Sequence, residues 1–235
     1  MFKTLPTFFG PIVAIATDIR IAEEIDQQGH WEFGSTLEIL NIYQRYYAGR
    51  SGHMLDIGCN IGTWTVPLAR RYPKNTVLAF DCQPPLVECV KQTIQLNCLT
   101  NAQATCCAVS DTCGTATYRV IDYDWGANFG AYEFEPPYAR PDFNGQTLDT
   151  TNTVATQTID SLGLDSVVFI KLDIEGMELK ALVGAQETLQ RCGPFVAFEH
   201  HKTDRKTAEQ LLQDLGYSIC PQTIGQMTLA VPADL

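Results

Sequence analysis

His53-Met-Leu-Asp-Ile-Gly-Cys-Asn-Ile-Gly-Thr-Trp-Thr65 is the stretch from which the fold can be read. An apolar strand, 53–57, carries Asp56 near its end, and Gly58-x-Asn60-x-Gly62 then opens a helix over 62–71. Glycine lets the backbone turn sharply and approach a ligand closely, and the carboxyl end of a strand is where open α/β sheets bind ligands. Outward from this turn, short apolar runs alternate with helical periodicity. Strands are predicted at 76–81, 103–109, 167–173 and 194–199, with two short ones near 217 and 228; helices at 85–97, 177–191 and 204–215. Near-continuous apolar strands separated by helices predict an α/β, doubly wound parallel sheet covered on both faces. Upstream, residues 35–48 carry apolar side chains at helical spacing and stop at Gly49, so residues 1–50 read as a strand/helix cap on a domain of 51–235.

The chain has 235 residues, enough for one core, and its 45% apolar share excludes disorder. Sixteen basic against 27 acidic side chains give a formal charge of −11. That field repels phosphate backbones and anionic lipid, and no basic patch offsets it, so no nucleic-acid or membrane partner is expected. No apolar stretch approaches the ~20 residues of a membrane span. Nine cysteines, an odd number without a C-x-x-C pair, speak against a disulfide framework or zinc knuckle and for a reducing, cytoplasmic compartment. The apolar run from Phe8 to Ala16 has the look of a secretory segment, but Gly10-Pro11 interrupts it. Residues 123–150 break the alternation, with Tyr123, Trp125, Phe129, Tyr132, Phe134, Tyr138 and Phe143 in no clean period. A loop that long is usually functional. Its makeup suits a substrate lid hinged at Gly126 and Gly130, or a cover for the sheet edge.

Asp81 ends the second strand of the alternation, where an acid can accept hydrogen bonds from both hydroxyls of a ribose. Dinucleotide enzymes use G-x-G-x-x-G for a pyrophosphate at a helix N-terminus. Here Asn60 stands in place of the second glycine, and Asp56 would set a carboxylate beside the phosphates. That carboxylate suits the ammonium end of S-adenosylmethionine, which is therefore the expected cofactor.

Asp-Ile-Gly-Cys-Asn-Ile-Gly at 56–62, Ile159-Asp160, and above all Phe169-Ile-Lys-Leu-Asp-Ile-Glu-Gly-Met-Glu-Leu-Lys-Ala-Leu-Val-Gly-Ala185 resemble the FkbM-type S-adenosylmethionine-dependent methyltransferases. The run from Phe169 to Ala185 is much the most specific of the three. The resemblance implies a class I, Rossmann-like methyltransferase with a mostly parallel seven-stranded sheet. It also implies methyl transfer, usually to a hydroxyl of a sugar, polyketide or similar small molecule. Two departures are conservative: Cys59 for the usual Ala, and Phe80-Asp81-Cys82 for Phe-Glu-Pro. Trp31-Glu32 stands where the family often has an aromatic and an acid before the cap helix, so the resemblance implies Glu32 at the cofactor amine; an acid at a helix start is the alternative. Ser110 follows the third strand, near the expected adenine. The expected cofactor set is thus Glu32, Asp56, Gly58, Cys59, Asn60, Gly62, Asp81, Cys82, Ser110 and Asp173.

Residues i and i+2 of a strand share a face, so Lys171 and Asp173 point the same way, with Glu175 just beyond. The strand over 194–199 should lie alongside and bring Glu199, His200 and His201 to the same edge. A plainer alternative has Lys171 pairing with a carboxylate and Glu175 capping the helix. A methyl sulfonium is already activated, so the protein must align an oxygen and remove its proton. His200 has the pKa for a base near neutrality, and Glu175 is the rival if His200 points away. Lys171, Asp173, Glu175 and His200 are the catalytic candidates. Asp173, Glu175, Glu199 and His200 could offer ligands to a divalent metal, but carboxylates beside a lysine read rather as an ion-pair network, so no metal ligands are assigned. Glu135-Pro136-Pro137-Tyr138 is similar to the Asp/Asn-Pro-Pro-Tyr of amino methyltransferases, yet it falls inside the 123–150 loop while Lys171-Leu172-Asp173 holds that motif's place. A non-catalytic nucleoside-binding domain and a nicotinamide-dependent oxidoreductase are the alternative readings.

Overall fold

A computed structural model describes residues 1–133 and 142–235; the Glu135–Tyr138 tetrapeptide lies outside the described residues. The chain begins with a hairpin, β1 (Phe2–Leu5) and β2 (Ile12–Ile15), followed by α1 (Ile21–Gln28) and α2 (Phe33–Tyr47). The repeating units follow: β3 (His53–Ile57), α3 (Thr65–Arg71), β4 (Thr76–Asp81), α4 (Pro84–Leu96), β5 (Ala102–Cys106). Then come β6 (Ala108–Val109), β7 (Gly114–Arg119), a short hairpin of β8 (Asp142–Phe143) and β9 (Gln146–Thr147), and β10 (Thr151–Gln157). The chain ends with β11 (Val167–Leu172), α5 (Glu178–Val183), α6 (Gln186–Cys192), β12 (Phe195–Glu199), α7 (Arg205–Asp214), β13 (Tyr217–Ile219) and β14 (Met227–Pro232).

The main sheet has seven strands in the order β13-β14-β12-β11-β3-β4-β5, and β14 alone runs antiparallel to its neighbours. Strand order reverses between β3 and β11, which opens a crevice at their carboxyl ends. One face buries Leu55, Ile170, Leu172 and Val196 under Ala181, Leu189 and Leu212 of α5, α6 and α7. The other stacks Phe169 on Phe195, with ring centroids 5.7 Å apart, and sets Tyr43 of α2 edge-on at 5.3 Å. Such geometry suits the aromatic quadrupole. Register places Lys171 directly opposite Asp56 on one side and Ala197 on the other.

Two local expectations are corrected. The helix expected over 177–191 is two helices, because a Cβ on Gly184 would lie 2.2 Å from the Ser110 carbonyl oxygen and the break brings these segments together. Asp160 then starts α6 by accepting from the backbone N–H groups of Glu187 and Thr188 at 3.1 and 2.7 Å. The strand expected over 103–109 divides at Cys107, and its last two residues join a second sheet, β6-β10-β7. Near the N-terminus, Ile12–Ile15 is a fully buried strand whose Val13 N–H donates to Thr93 of α4 at 2.9 Å. Among the described residues, no helix is long and apolar enough to cross a membrane.

Candidate active site

A cavity of about 290 Å³ sits at the switch point, close to the lower end of ligand-pocket sizes. Four strand ends supply its floor: Gly58 and Asn60 after β3, Asp81 and Cys82 from β4, Asp173 and Glu175 after β11, and Glu199 from β12. Arg20, Trp31 and Glu32 close it from the N-terminal region, and Asn128 to Tyr132 from the 123–150 insertion.

The glycine turn is tight for a physical reason. Gly58 has φ +76°, and a Cβ there would lie 1.8 Å from the carbonyl oxygen of Asp173. Its backbone therefore touches the end of β11, and only glycine allows both the contact and the dihedral. Asn60, also left-handed at φ +49°, donates its N–H to Asp81 Oδ2 at 3.0 Å. The Gln83 N–H meets Oδ1 at 2.9 Å. Burial pushes the Asp81 carboxyl up to about 6, and these two N–H donors only partly offset it. Each carboxylate oxygen keeps a free lone pair for a ligand hydroxyl.

Asp56 does not face the cavity, which corrects the role expected for it. It is fully buried, accepts from Thr65 Oγ1 at 2.6 Å, and pairs with Lys171 Nζ at 3.4 Å. Lys171 donates to the Gly58 carbonyl at 2.6 Å and reaches Asp173 at 3.5 Å. Burial alone would lower the pKa of Lys171, but Asp173 and Asp56 outweigh it and hold the ammonium charged. Lys171 thus fastens β3 to β11 and is no proton acceptor near neutrality; the pairing alternative describes it. Cys59 packs on Ala79 and Val90, Gly62 makes the turn, and Ser110 Oγ contacts Asp111; none of the three lines the cavity. Cys107, Ala108 and Val109 line it in place of Ser110.

His200 is the second correction. It is absent from the cavity wall; its Nδ1 meets Thr228 Oγ1 at 3.1 Å, and burial and Arg205 lower its pKa. Neighbouring strand residues face opposite ways, so turning His200 out turns Glu199 in. Glu175 lines the cavity but is held by Lys202, which also binds Glu133 of the insertion at 2.8 Å. The cap expected from Glu175 is made by Glu178, which accepts from the N–H groups of Ile174 and Gly176 at 2.8 and 3.1 Å. Burial pushes Glu178 up to about 7. Burial, followed by Asp173, likewise raises Glu32.

Reasoning from sequence undervalued Glu199 and had no signal for Gln83, Asn128, Glu133 or Lys202, which lie in aperiodic segments. Glu178 was visible as the last acid of the I-K-x-D-x-E-G-x-E run, without a role. Among the described residues, three buried acceptor atoms on the wall have no hydrogen-bond partner: Asn60 Oδ1, Asn128 Oδ1 and Glu199 Oε2. Buried acceptors without donors are costly. Among the described residues, no three His, Cys, Asp or Glu side chains are grouped to hold a metal.

The sheet order, its one reversed strand and the acid-walled cavity at the switch point define a class I, Rossmann-like methyltransferase fold. The methyltransferase FkbM domain model matches residues 56–219, and the chain belongs to that family. Among curated relatives, methyltransferase sdnD of Sordaria araneosa is 24% identical over 190 residues, covering 71% of this chain and 73% of its own. Methyltransferase 1 of Beauveria bassiana (strain ARSEF 2860) is 25% identical over 179 residues, covering 71% and 72%. The crystal structure of methyltransferase FkbM from Methylobacillus flagellatus KT is similar with a TM-score of 0.48 at 16% identity; the match covers 84% of this chain and 52% of that one.

Proposed function

We propose that this chain is an S-adenosylmethionine-dependent methyltransferase that methylates a hydroxyl of a small molecule or glycan. The observation that carries the reading is the polarity of the cavity wall. Asp81 offers two lone pairs side by side, Asn60 and Asn128 offer orphaned acceptors, and Glu32, Asp173 and Glu175 add further acid. A ligand with a vicinal diol, an amine and a positive charge satisfies such a wall. A pyrophosphate offers acceptors and negative charge only, and would be repelled.

In this reading Asp81 holds the ribose hydroxyls, and Cys82, Leu86, Cys107 and Val109 form the apolar slot for the base. Asn60, Glu32 and Asp173 face the amino-acid end. When bound, the cofactor supplies an already activated methyl group, so alignment, exclusion of water and proton removal are left to the protein. Residues 1–50 act as the cap, reaching the cavity wall through Arg20, Trp31 and Glu32, and the 123–150 segment acts as the lid, reaching it through Asn128, Gly130, Ala131 and Tyr132. Lys202 ties that lid to the floor by bridging Glu133 and Glu175.

Calorimetry with S-adenosylmethionine, S-adenosylhomocysteine and NAD tests the cofactor half. Binding of the first two is expected; binding of NAD alone overturns it. Incubation with methyl-labelled donor and a panel of sugars, polyketides and nucleosides tests the acceptor half. Label recovered on oxygen is expected, and label recovered only on nitrogen or carbon refutes hydroxyl methylation.

A further inference from the structure

We propose that Glu199 is the group that takes the acceptor's proton, and that the arrival of the cationic donor puts it in the state to do so. This rests on the methyltransferase reading above and adds the residue that completes its chemistry.

Glu199 ends β12, and the strands run β4, β3, β11, β12. At ~4.8 Å per strand it stands ~14 Å along the crevice from Asp81. With the ribose at Asp81, the reacting end of the donor extends away from β4 and toward Glu199. The other candidates are engaged elsewhere. His200 turns to Thr228, Glu175 is held by Lys202, and Lys171 is a fixed cation shared by Asp56 and Asp173. Glu199 keeps a buried oxygen, Oε2, without a partner among the described residues.

The groups facing Glu199 are Asp173 and Glu175 from the turn after β11, Glu178 from α5, and Lys171 from β11; Lys202 pairs with Glu175. From the β14 side the wall is Gln226 and Met227, which are neutral. Burial and the three carboxylates push Glu199 up to about 8 against the pull of Lys171. It is therefore mostly protonated at neutral pH in the ligand-free protein. A cation entering the same cavity favours the ionised form, so Glu199 gives up its proton as the donor binds. In the transfer step Glu199 accepts the acceptor's hydroxyl proton while the oxygen–methyl bond forms and the sulfur–methyl bond breaks. The sulfur keeps the bonding pair as a neutral thioether, and the proton then passes from Glu199 to water.

The test that needs no acceptor is calorimetry near pH 7 in buffers of different ionisation enthalpy. The wild-type protein should release about half a proton more on binding S-adenosylmethionine than on binding S-adenosylhomocysteine, by proton linkage, and Glu199→Gln should lose that difference. With an acceptor in hand, Glu199→Gln should lower kcat by about 100-fold or more, leave the donor KM within about threefold and abolish the ascending limb of the pH profile. Glu199→Asp, which retains a carboxyl, should restore part of each and serves if the glutamine variant does not fold. Unchanged proton release or kcat in the variants overturns the proposal, and so does loss of donor binding, which would make Glu199 a cofactor ligand. A wild-type protein that binds neither compound refutes the methyltransferase reading itself and this proposal with it, whereas an effect missing only in the variants leaves that reading standing.

Discussion

Replacing Lys171 by Met keeps most of the side-chain volume and removes one charge from the centre of the sheet. In the wild-type protein the ammonium is 2.6 Å from the Gly58 carbonyl, 3.4 Å from Asp56 and 3.5 Å from Asp173. Asp173 is 38% exposed and can turn to water; Asp56 is 0% exposed and keeps only the Thr65 hydroxyl. Breaking a buried pair by deleting one partner costs about 3–5 kcal/mol, and the Gly58 carbonyl loses a donor worth about 1 kcal/mol. At about 2–4 °C per kcal/mol for a chain of this size, the unfolding midpoint should fall by about 8–24 °C. Adding Asp56→Asn removes the stranded charge and should return about 2–3 kcal/mol. Urea unfolding of the wild type and the two variants, followed by circular dichroism, measures both numbers. A loss below about 1 kcal/mol, the scale of an exposed pair, would refute the reasoning, as would a double variant no more stable than Lys171→Met.

Gly58→Ala should destabilise by about 2–5 kcal/mol, combining a left-handed dihedral with overpacking against Asp173; chemical denaturation that matches the wild type would show that the turn can open. Folding raises Asp81 to about 6, Glu178 to about 7 and Glu199 to about 8, above the ordinary carboxyl range. Each therefore contributes stability that is present below about pH 4 and lost as pH rises through its folded value. The midpoint of the ligand-free protein should fall between about pH 5 and about pH 8.5, and Glu199→Gln should flatten the upper part; a midpoint that climbs over this range refutes the shifts. His200→Ala should leave kcat within about threefold, because general acid–base residues contribute 10²–10⁴-fold and this ring faces Thr228; a loss of 100-fold would restore His200 as the base.

Much of this architecture is local in origin and was therefore legible in the sequence. The spacing of apolar residues in Met54–Ile57, Val77–Phe80 and Val167–Leu172 marks buried parallel strands, because each is covered on both faces. Gly58 marks a close backbone approach, and Asp81 the end of the second parallel strand. The Thr-rich β10 escaped because an exposed segment carries a weak signal. Which carboxylates face the cavity was decided by tertiary structure alone. Asp56 and Lys171 lie 115 residues apart in the chain, yet pairing of β3 with β11 sets them opposite each other, and the pair consumes the charge that Asp56 would otherwise offer. Likewise Glu199 and His200 are neighbours whose order states only that they face opposite ways; the pairing of β12 with β14 turns the histidine to Thr228 and leaves the glutamate in the crevice. Periodicity is a property of adjacent residues, whereas the neutralisation of a buried charge depends on what lies within a few ångströms, and folding alone sets those distances.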